Sequence, residues 1–124
     1  MRILRPLVLA AMGIVASTSA TAQVVRETVP GITNYARVES TVACAGAITT
    51  QVIPEIKRMG YQSIINLRLA TERGADVEAS MAAAKEAGIT YVHIPFNASN
   101  PDPAVVDTFL QTITRPGMQP AFIH

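Results

Sequence analysis

The segment Tyr61-Gln-Ser-Ile-Ile-Asn-Leu-Arg68 decides the fold, together with the helix and the strand that follow it. Its apolar centre predicts a buried strand that ends at the arginine. The Ala-rich run 77–87 predicts a helix with Gly88 as its stop. Residues 89–94 then predict a second strand, which Pro95 closes. A strand, a helix and another strand in this order are typical of parallel pairing in an α/β domain.

The alternation of helices and strands continues on both sides of this segment. Upstream, Thr49 or Thr50 can cap a helix that ends at Gly60. Downstream, Asp102-Pro103 is a favoured helix start, a carboxylate cap followed by a proline, and residues 120–124 begin a third strand. We therefore predict an α/β fold with a mostly parallel central sheet flanked by helices.

Further predictions concern the edge of the sheet and the packing of the helices. Segments 35–39 and 41–44 predict a small hairpin at the sheet edge, and residues 23–34 predict a lead-in with a turn at Pro30-Gly31. Cys44 is expected to be a small core residue. The helix positions expected to face inward are Val77, Met81, Ala84 and Ala87 or Gly88, followed by Val105, Val106, Phe109, Leu110 and Ile113.

The composition excludes several classes of protein. A chain of 124 residues that is 49% hydrophobic suits one domain and argues against disorder. One cysteine cannot form an internal disulfide framework, and 10 Lys+Arg against 9 Asp+Glu leave no basic excess for binding nucleic acid. His93, His124 and Cys44 lack metal-ligand spacing, so no metal site is predicted. His93 is expected to be a satisfied structural residue, and Asn66 a hydrogen-bonding residue at a strand end.

The first 22 residues have the order of a secretory signal. Arg2 and Arg5 precede the apolar run 6–16, and small residues form a cleavage site that ends at Ala22. As a helix, the run reaches about half of the ~30 Å hydrocarbon core of a bilayer. We therefore interpret residues 1–22 as a signal peptide rather than as an uncleaved anchor or a buried helix. This predicts a secreted or periplasmic bacterial protein without stable membrane insertion after cleavage.

Signatures of nucleotide loops, zinc proteases and serine hydrolases are absent from the sequence. Three other pieces carry a resemblance: INLR at 65–68, YVHIP at 91–95 and FIH at 122–124. In this order and at this spacing they resemble the phosphatase-like family of β-lactamase hydrolase-like proteins, within the dual-specificity and tyrosine phosphatase superfamily. The resemblance covers 35–124, which we predict to be the N-terminal part of a phosphatase-like domain.

The resemblance implies that a cysteine directly follows His124, as the start of the signature H-C-x-x-x-x-x-R. A loop between a strand and a helix presents backbone N–H groups to a phosphate, and the arginine binds two of its oxygens. The cysteine thiolate then attacks phosphorus and forms a phosphocysteine, a reaction that needs no metal or organic cofactor. Of this signature the 124 residues contain only His124. We therefore expect them to be inactive by themselves.

Two further positions bear on the activity that the resemblance implies. Active relatives carry a general acid three residues after Pro95, where this chain has Ala98. Asp102 is the nearest carboxylate, and its role as a helix cap is favoured over a role as the acid. Arg68 can attract an anionic substrate, although a structural pair with Glu72 is the favoured interpretation.

These observations leave three functions open. The first is a cysteine-dependent phosphatase that acts on a phosphorylated small molecule or protein. The second is a sulfur-transfer or persulfide-handling enzyme that uses the same cysteine on a sulfur-containing substrate. The third is a module that binds phosphate or protein without catalysis, which Ala98 in place of an acid favours.

Overall fold

The computed structural model describes residues 21–124, so almost all of the predicted signal peptide lies outside the described residues. The strands are β1 (Val24–Arg26), β2 (Ala36–Val38), β3 (Val42–Cys44), β4 (Ser63–Asn66), β5 (Thr90–His93) and β6 (Ala121–Ile123). The helices are α1 (Ile53–Arg58), preceded by a 3₁₀ turn (Thr50–Val52), α2 (Val77–Ala87) and α3 (Pro103–Ile113). Within residues 21–124, none of the helices is long and apolar enough to cross a membrane.

All six strands form one sheet in the order β1-β2-β3-β6-β4-β5. The strands β1, β2 and β3 pair antiparallel, whereas β6 runs parallel to β3 and β4, and β5 runs parallel to β4. The predicted α/β fold with a mostly parallel sheet is therefore confirmed. The third predicted strand, β6, lies in the middle of the sheet because the crossover through α3 carries the chain from the edge strand β5 past β4.

The predicted hairpin forms, but it does not lie at the edge of the sheet. The strands β2 and β3 pair antiparallel, with Arg37 opposite Ala43. Because β6 pairs with β3 and β1 pairs with the outer side of β2, the edge strand on this side of the sheet is β1, opposite β5. This strand of three residues has no periodicity that the sequence could reveal. The turn at Pro30-Gly31 is confirmed by a hydrogen bond of 3.1 Å from the Ile32 N–H to the Val29 carbonyl.

The helix predicted between Thr49 or Thr50 and Gly60 forms in two parts. Thr49 precedes the 3₁₀ turn but makes no side-chain capping bond, so the predicted cap is wrong there. The helix α1 begins at Ile53 with Pro54 in its first turn. An N–H in the first turn has no carbonyl acceptor within the helix, so the proline breaks no hydrogen bond there. The chain leaves the helix through Gly60, whose φ of 100° suits a residue without Cβ.

The core lies on both faces of the sheet because successive side chains of a strand alternate between the faces. On one face, Ile64 and Phe122 are fully buried against Ile53 and Ile56 of α1, and α2 joins the same cluster. On the other face, Ile65 packs in a second cluster with residues of α3. The helices α1 and α2 therefore cover one face, and α3 covers part of the other.

The helix α2 begins and ends where the sequence predicts. The Asp76 carboxylate accepts a backbone N–H bond from the first turn at 3.4 Å, and Gly88 has a left-handed φ of 71°. The predicted inward stripe is correct for Ala84, which is buried, but wrong for Met81, which is 51% exposed. Ser80 is buried instead, because the turn of the helix brings it and Ala84 to the same face.

The helix α3 is confirmed, but its apolar stripe is wider than the surface it buries. Val105, Phe109 and Ile113 pack against the second core cluster. Val106 and Leu110, which were also expected to face inward, are 47% and 53% exposed. Their prediction is wrong because an apolar stripe shows which residues can be buried, whereas the neighbouring elements decide how much of it they cover.

Ile64 and Leu110 test this distinction between buried and exposed aliphatic side chains. Ile64 is fully buried, so Ile64→Ala should lower the free energy of unfolding by about 2–5 kcal/mol. Leu110→Ala removes an exposed side chain and should cost about 1 kcal/mol or less. Urea denaturation of both variants measures the difference. Equal losses would contradict the exposed position of Leu110.

Candidate functional site

Four parallel strands end on the same side of the sheet, which is termed the carboxyl edge. Their last residues are Cys44 of β3, Ile123 of β6, Asn66 of β4 and His93 of β5. In open α/β sheets, ligands bind beyond the carboxyl ends of the strands, in the loops that follow them. The candidate site therefore consists of these strand ends and the residues directly after them.

His124 follows the central strand β6 at this edge. Its N–H donates to the Ile65 carbonyl at 3.0 Å, and its own carbonyl accepts the Leu67 N–H at 2.6 Å, which extends the parallel pairing. The residue is 7% exposed, and neither ring nitrogen has a hydrogen-bond partner within residues 21–124. Burial, which disfavours the charged ring, is the main reason that the pKa of His124 falls from 6.5 to about 4, and electrostatic interaction with Arg68 and His93 adds to this shift. The ring is therefore neutral at pH 7.

Arg68 lies two residues after β4 and is held by its own loop. Its Nε donates to the Glu72 Oε2 at 3.0 Å, and its Nη2 donates to the Arg73 carbonyl at 2.9 Å. The other Glu72 oxygen accepts the Leu69 N–H at 2.9 Å. This bond makes the largest contribution to keeping the pKa of Glu72 below its usual range, and the bond from Arg68 makes the next largest. The predicted pair is confirmed, while a role of Arg68 in binding substrate stays a prediction.

Asn66 and His93 hold the backbone of Arg68 from both sides. The Arg68 N–H donates to the Asn66 Oδ1 at 2.8 Å, and the His93 Nε2–H donates to the Arg68 carbonyl at 2.7 Å. The Asn66 amide donates to the Tyr91 hydroxyl at 2.8 Å, and Ser80 of α2 lies beside this hydroxyl. The predictions of Asn66 as a strand-end hydrogen-bonding residue and of His93 as a satisfied residue are confirmed.

Sequence reasoning missed Tyr91 and Ser80 as parts of this network. The register places Ile64 opposite Tyr91, so the tyrosine ring reaches Asn66 diagonally across the two strands. Burial raises the pKa of Tyr91, although the hydrogen bond from Asn66 and the neighbouring Ser80 oppose this shift. One signal was available: an asparagine at the end of an apolar strand needs hydrogen-bond partners when it is buried.

Cys44 also ends at the carboxyl edge, but it is exposed. The expectation that it is a core residue is therefore wrong. Its neighbour Ala43 is fully buried in the cluster that contains α1. Because neighbouring side chains of a strand point to opposite faces, Cys44 faces away from that cluster.

Asp102 caps α3, as predicted. Its Oδ1 accepts the Ala104 N–H at 2.9 Å, and the residue is exposed. Ala98 lies in the exposed loop between β5 and α3, at the position where the resemblance implies an acid. The cap role of Asp102 is confirmed, and its role as a general acid stays a prediction.

The carboxyl edge has a small apolar cavity beside it. This cavity of about 160 Å³ is lined by Leu67, Phe96, Val105, Val106 and Phe109. A larger cavity of about 600 Å³ lies beside β1 and β2 and includes none of the carboxyl-edge residues. Among residues 21–124, no three His, Cys, Asp or Glu side chains form a group that could hold a metal ion.

Solved structures with the same architecture define the class of fold. A DUF442 protein from Shewanella putrefaciens CN-32, assigned as a candidate phosphatase, has a TM-score of 0.69 at 22% identity, over 76% of this chain and 59% of its own. TpbA from P. aeruginosa has a TM-score of 0.58 at 18% identity, over 80% of this chain and 57% of its own. The fold is that of the cysteine-dependent phosphatases, and the chain spans 59% of the Shewanella protein.

The core catalytic domain of the PP-IP phosphatase SIW14 from S. cerevisiae has the same fold, with a TM-score of 0.52 at 18% identity, over 67% of this chain and 49% of its own. That domain was solved with citrate, and TpbA was also solved with phosphotyrosine. No curated protein matches the sequence. Residues 34–119 match the family described as Beta-lactamase hydrolase-like protein, phosphatase-like domain. The chain belongs to this family.

The buried His124 ring should make folding stability depend on pH. An unfolded histidine titrates at about 6.5 and His124 in the folded state at about 4, so the unfolded state binds more protons between these values. His124 therefore contributes to the free energy of unfolding above about pH 6.5, and this contribution is lost as the pH falls towards 4. Its upper limit is about 3 kcal/mol. Urea denaturation of the wild type and His124→Gln across this range measures it. Parallel pH profiles for the two proteins would contradict burial of a neutral ring.

Two substitutions of Asp102 separate a cap from a general acid. Asparagine caps a helix as well as aspartate but cannot donate a carboxyl proton, so for a cap Asp102→Asn should preserve both stability and turnover. Asp102→Ala should lower the free energy of unfolding by about 1 kcal/mol. Turnover is measured on a phosphate ester with a poor leaving group, in the complete natural protein. A loss of about 10²–10⁴ in turnover for Asp102→Asn alone would assign the acid to this residue.

Proposed function

We propose that the complete protein hydrolyses phosphomonoesters through a cysteine thiolate, as a phosphatase of the tyrosine or dual-specificity type. The observation that carries this proposal is the position of His124. It directly follows β6, the central parallel strand, and it is buried with β3 and β4 on either side. The family signature begins with such a histidine, so its loop would lie over the middle of the carboxyl edge.

A loop at this position suits the chemistry of phosphate transfer. Successive backbone N–H groups and a helix N-terminus direct partial positive charge at one point, which attracts a phosphate and lowers the pKa of a thiol. The thiolate attacks phosphorus and forms a P–S bond while the P–O ester bond breaks, and the leaving oxygen takes up a proton. Water then attacks phosphorus, breaks the P–S bond and releases phosphate.

We also propose that the 124 residues alone do not perform this reaction. Their single cysteine is Cys44, and Thr50 stands where the signature requires the arginine. The thiol of Cys44 therefore has no arginine at signature spacing to hold a phosphate. The exposed side chains Val106 and Leu110 further indicate that the apolar surface of α3 is only partly covered by the described residues.

Export is part of the same proposal. The features of residues 1–22 support a secretory signal. Without them the chain has eight basic and nine acidic residues, a near-neutral balance that gives no support to binding nucleic acid. The substrate would then be a phosphorylated protein or small molecule outside the cytoplasm. The phosphotyrosine bound by TpbA and the citrate bound by SIW14 support an anionic ligand.

Hydrolysis of p-nitrophenyl phosphate by the complete natural protein tests the proposal. We expect turnover without an added metal ion. Replacing the cysteine that the proposal places directly after His124 by serine should reduce turnover about a thousandfold or more, because the nucleophile is lost. Cys44→Ser is the matched control, since it removes an exposed thiol outside the signature and should leave turnover unchanged.

Other outcomes would favour the alternatives. Release of sulfite from thiosulfate without hydrolysis of the phosphate ester would indicate sulfur transfer by the same cysteine. Binding of phosphate or of a protein, with neither reaction, would indicate a module without catalysis, in agreement with Ala98 in the acid position. A gene that encodes no cysteine directly after His124 would contradict both enzymatic proposals.

A further inference from the structure

We propose that Arg68 binds a phosphate oxygen of the substrate at the carboxyl edge, as a second arginine distinct from the one in the signature loop. This inference rests on the proposed function, because it names a substrate contact in the same site. Four observations carry it: the fixed guanidinium group, the fixed backbone, a buried nitrogen without a partner within residues 21–124, and a carboxylate bonded at Nε.

The first observation is that two of the three guanidinium nitrogens are already engaged. The Arg68 Nε bonds to Glu72 at 3.0 Å and Nη2 bonds to the Arg73 carbonyl at 2.9 Å. Glu72 is itself held by the Leu69 N–H at 2.9 Å. These contacts define the plane and the direction of a group that is otherwise flexible, so an anion would not have to order it.

The second observation is that the backbone of Arg68 is anchored to both neighbouring strands. Asn66 of β4 accepts its N–H at 2.8 Å, and His93 of β5 donates to its carbonyl at 2.7 Å. Asn66 is fully buried and is in turn held by Tyr91 at 2.8 Å. The arginine therefore starts from a rigid strand end rather than from a mobile loop, which is what precise anion binding requires.

The third observation is the remaining nitrogen, Nη1. It is buried and has no hydrogen-bond partner within residues 21–124, in a side chain that is 16% exposed. His124, which is 93% buried, likewise lacks partners for both ring nitrogens in this part of the chain. A buried N–H without an acceptor is unfavourable, and an arginine donor prefers a charged oxygen. Both groups belong to the carboxyl edge, and Arg68 is close enough to His124 to help lower the pKa of its ring.

The fourth observation is the position of Glu72, the one carboxylate that bonds to Arg68 within residues 21–124. Both oxygens of Glu72 are used, one by Leu69 and one by the Nε side of the guanidinium. The Glu72 side chain is 42% exposed, so solvent screens its charge, whereas Nη1 is buried. The positive charge is therefore compensated at Nε, whereas Nη1 has no acceptor within residues 21–124.

The test measures binding of inorganic phosphate and the kinetics of p-nitrophenyl phosphate hydrolysis in the complete natural protein. Arg68→Ala should weaken phosphate binding by about 10- to 100-fold, the usual effect of losing a charge-assisted hydrogen bond. Arg58→Ala is the matched control, because Arg58 forms a similar pair with Glu55 at 2.7 Å but is 70% exposed. It should bind phosphate as the wild type does.

Arg68→Lys keeps the charge and provides a second variant if the alanine variant does not fold. A lysine can bond to Glu72 or to a phosphate but cannot span both, so phosphate binding should still weaken severalfold. The melting temperature of each variant is measured in the absence of phosphate. A lower melting temperature with unchanged phosphate affinity in the folded variants would overturn the proposal and leave Arg68 a purely structural residue.

The outcomes also distinguish this inference from the proposed function. A wild-type protein that binds phosphate through Arg68 but hydrolyses no ester would refute the phosphatase proposal and retain the anion site. Hydrolysis with unchanged KM and phosphate affinity in Arg68→Lys would retain the phosphatase and refute the role of Arg68. A wild-type protein that binds no phosphate at millimolar concentration would refute the anion site directly.

Discussion

The burial of β6 between β3 and β4 is the constraint on which the rest of the structure depends. Its side chain Phe122 is fully buried against the α1 and α2 cluster, while Ala121 faces the cluster that contains α3. Both faces of the strand therefore contact protein, as is usual for a central parallel strand. Because the neighbouring strands run in the same direction, their carboxyl ends and His124 meet at one edge, and the candidate site lies there.

The polar groups of this edge are tolerated in a buried place because they satisfy one another. A chain of hydrogen bonds runs from Tyr91 through Asn66 to the backbone of Arg68, and His93 closes it from the side of β5. Breaking one member would leave a buried donor or acceptor unpaired, which costs more than the bond itself contributes. Arg68 Nη1 and the His124 ring depart from this pattern within residues 21–124, and they lie where we propose that phosphate binds.

Local rules predicted the helices and the central strands well. They predicted only part of the packing, that is, which side chains are buried. The bounds of α2 follow from Asp76 and Gly88, since a cap and a left-handed stop act within a few residues. Met81 and Leu110 are exposed against expectation, because an apolar residue on a helix is buried only if another element reaches it. The short strand β1 had no signal at all, since its stability comes from pairing with β2 and not from its own three residues.

The sequence by itself determined the alternating α/β order, the family through INLR, YVHIP and FIH, and the local pair of Arg68 with Glu72, which are four residues apart on the chain. Only the tertiary structure decided that Arg68, His93 and His124 share one edge. Their approach depends on the strand order and the parallel register, which long-range packing selects. It also decided that Cys44 is exposed and Asn66 buried, because the face of a strand that meets a helix is a property of the assembled sheet.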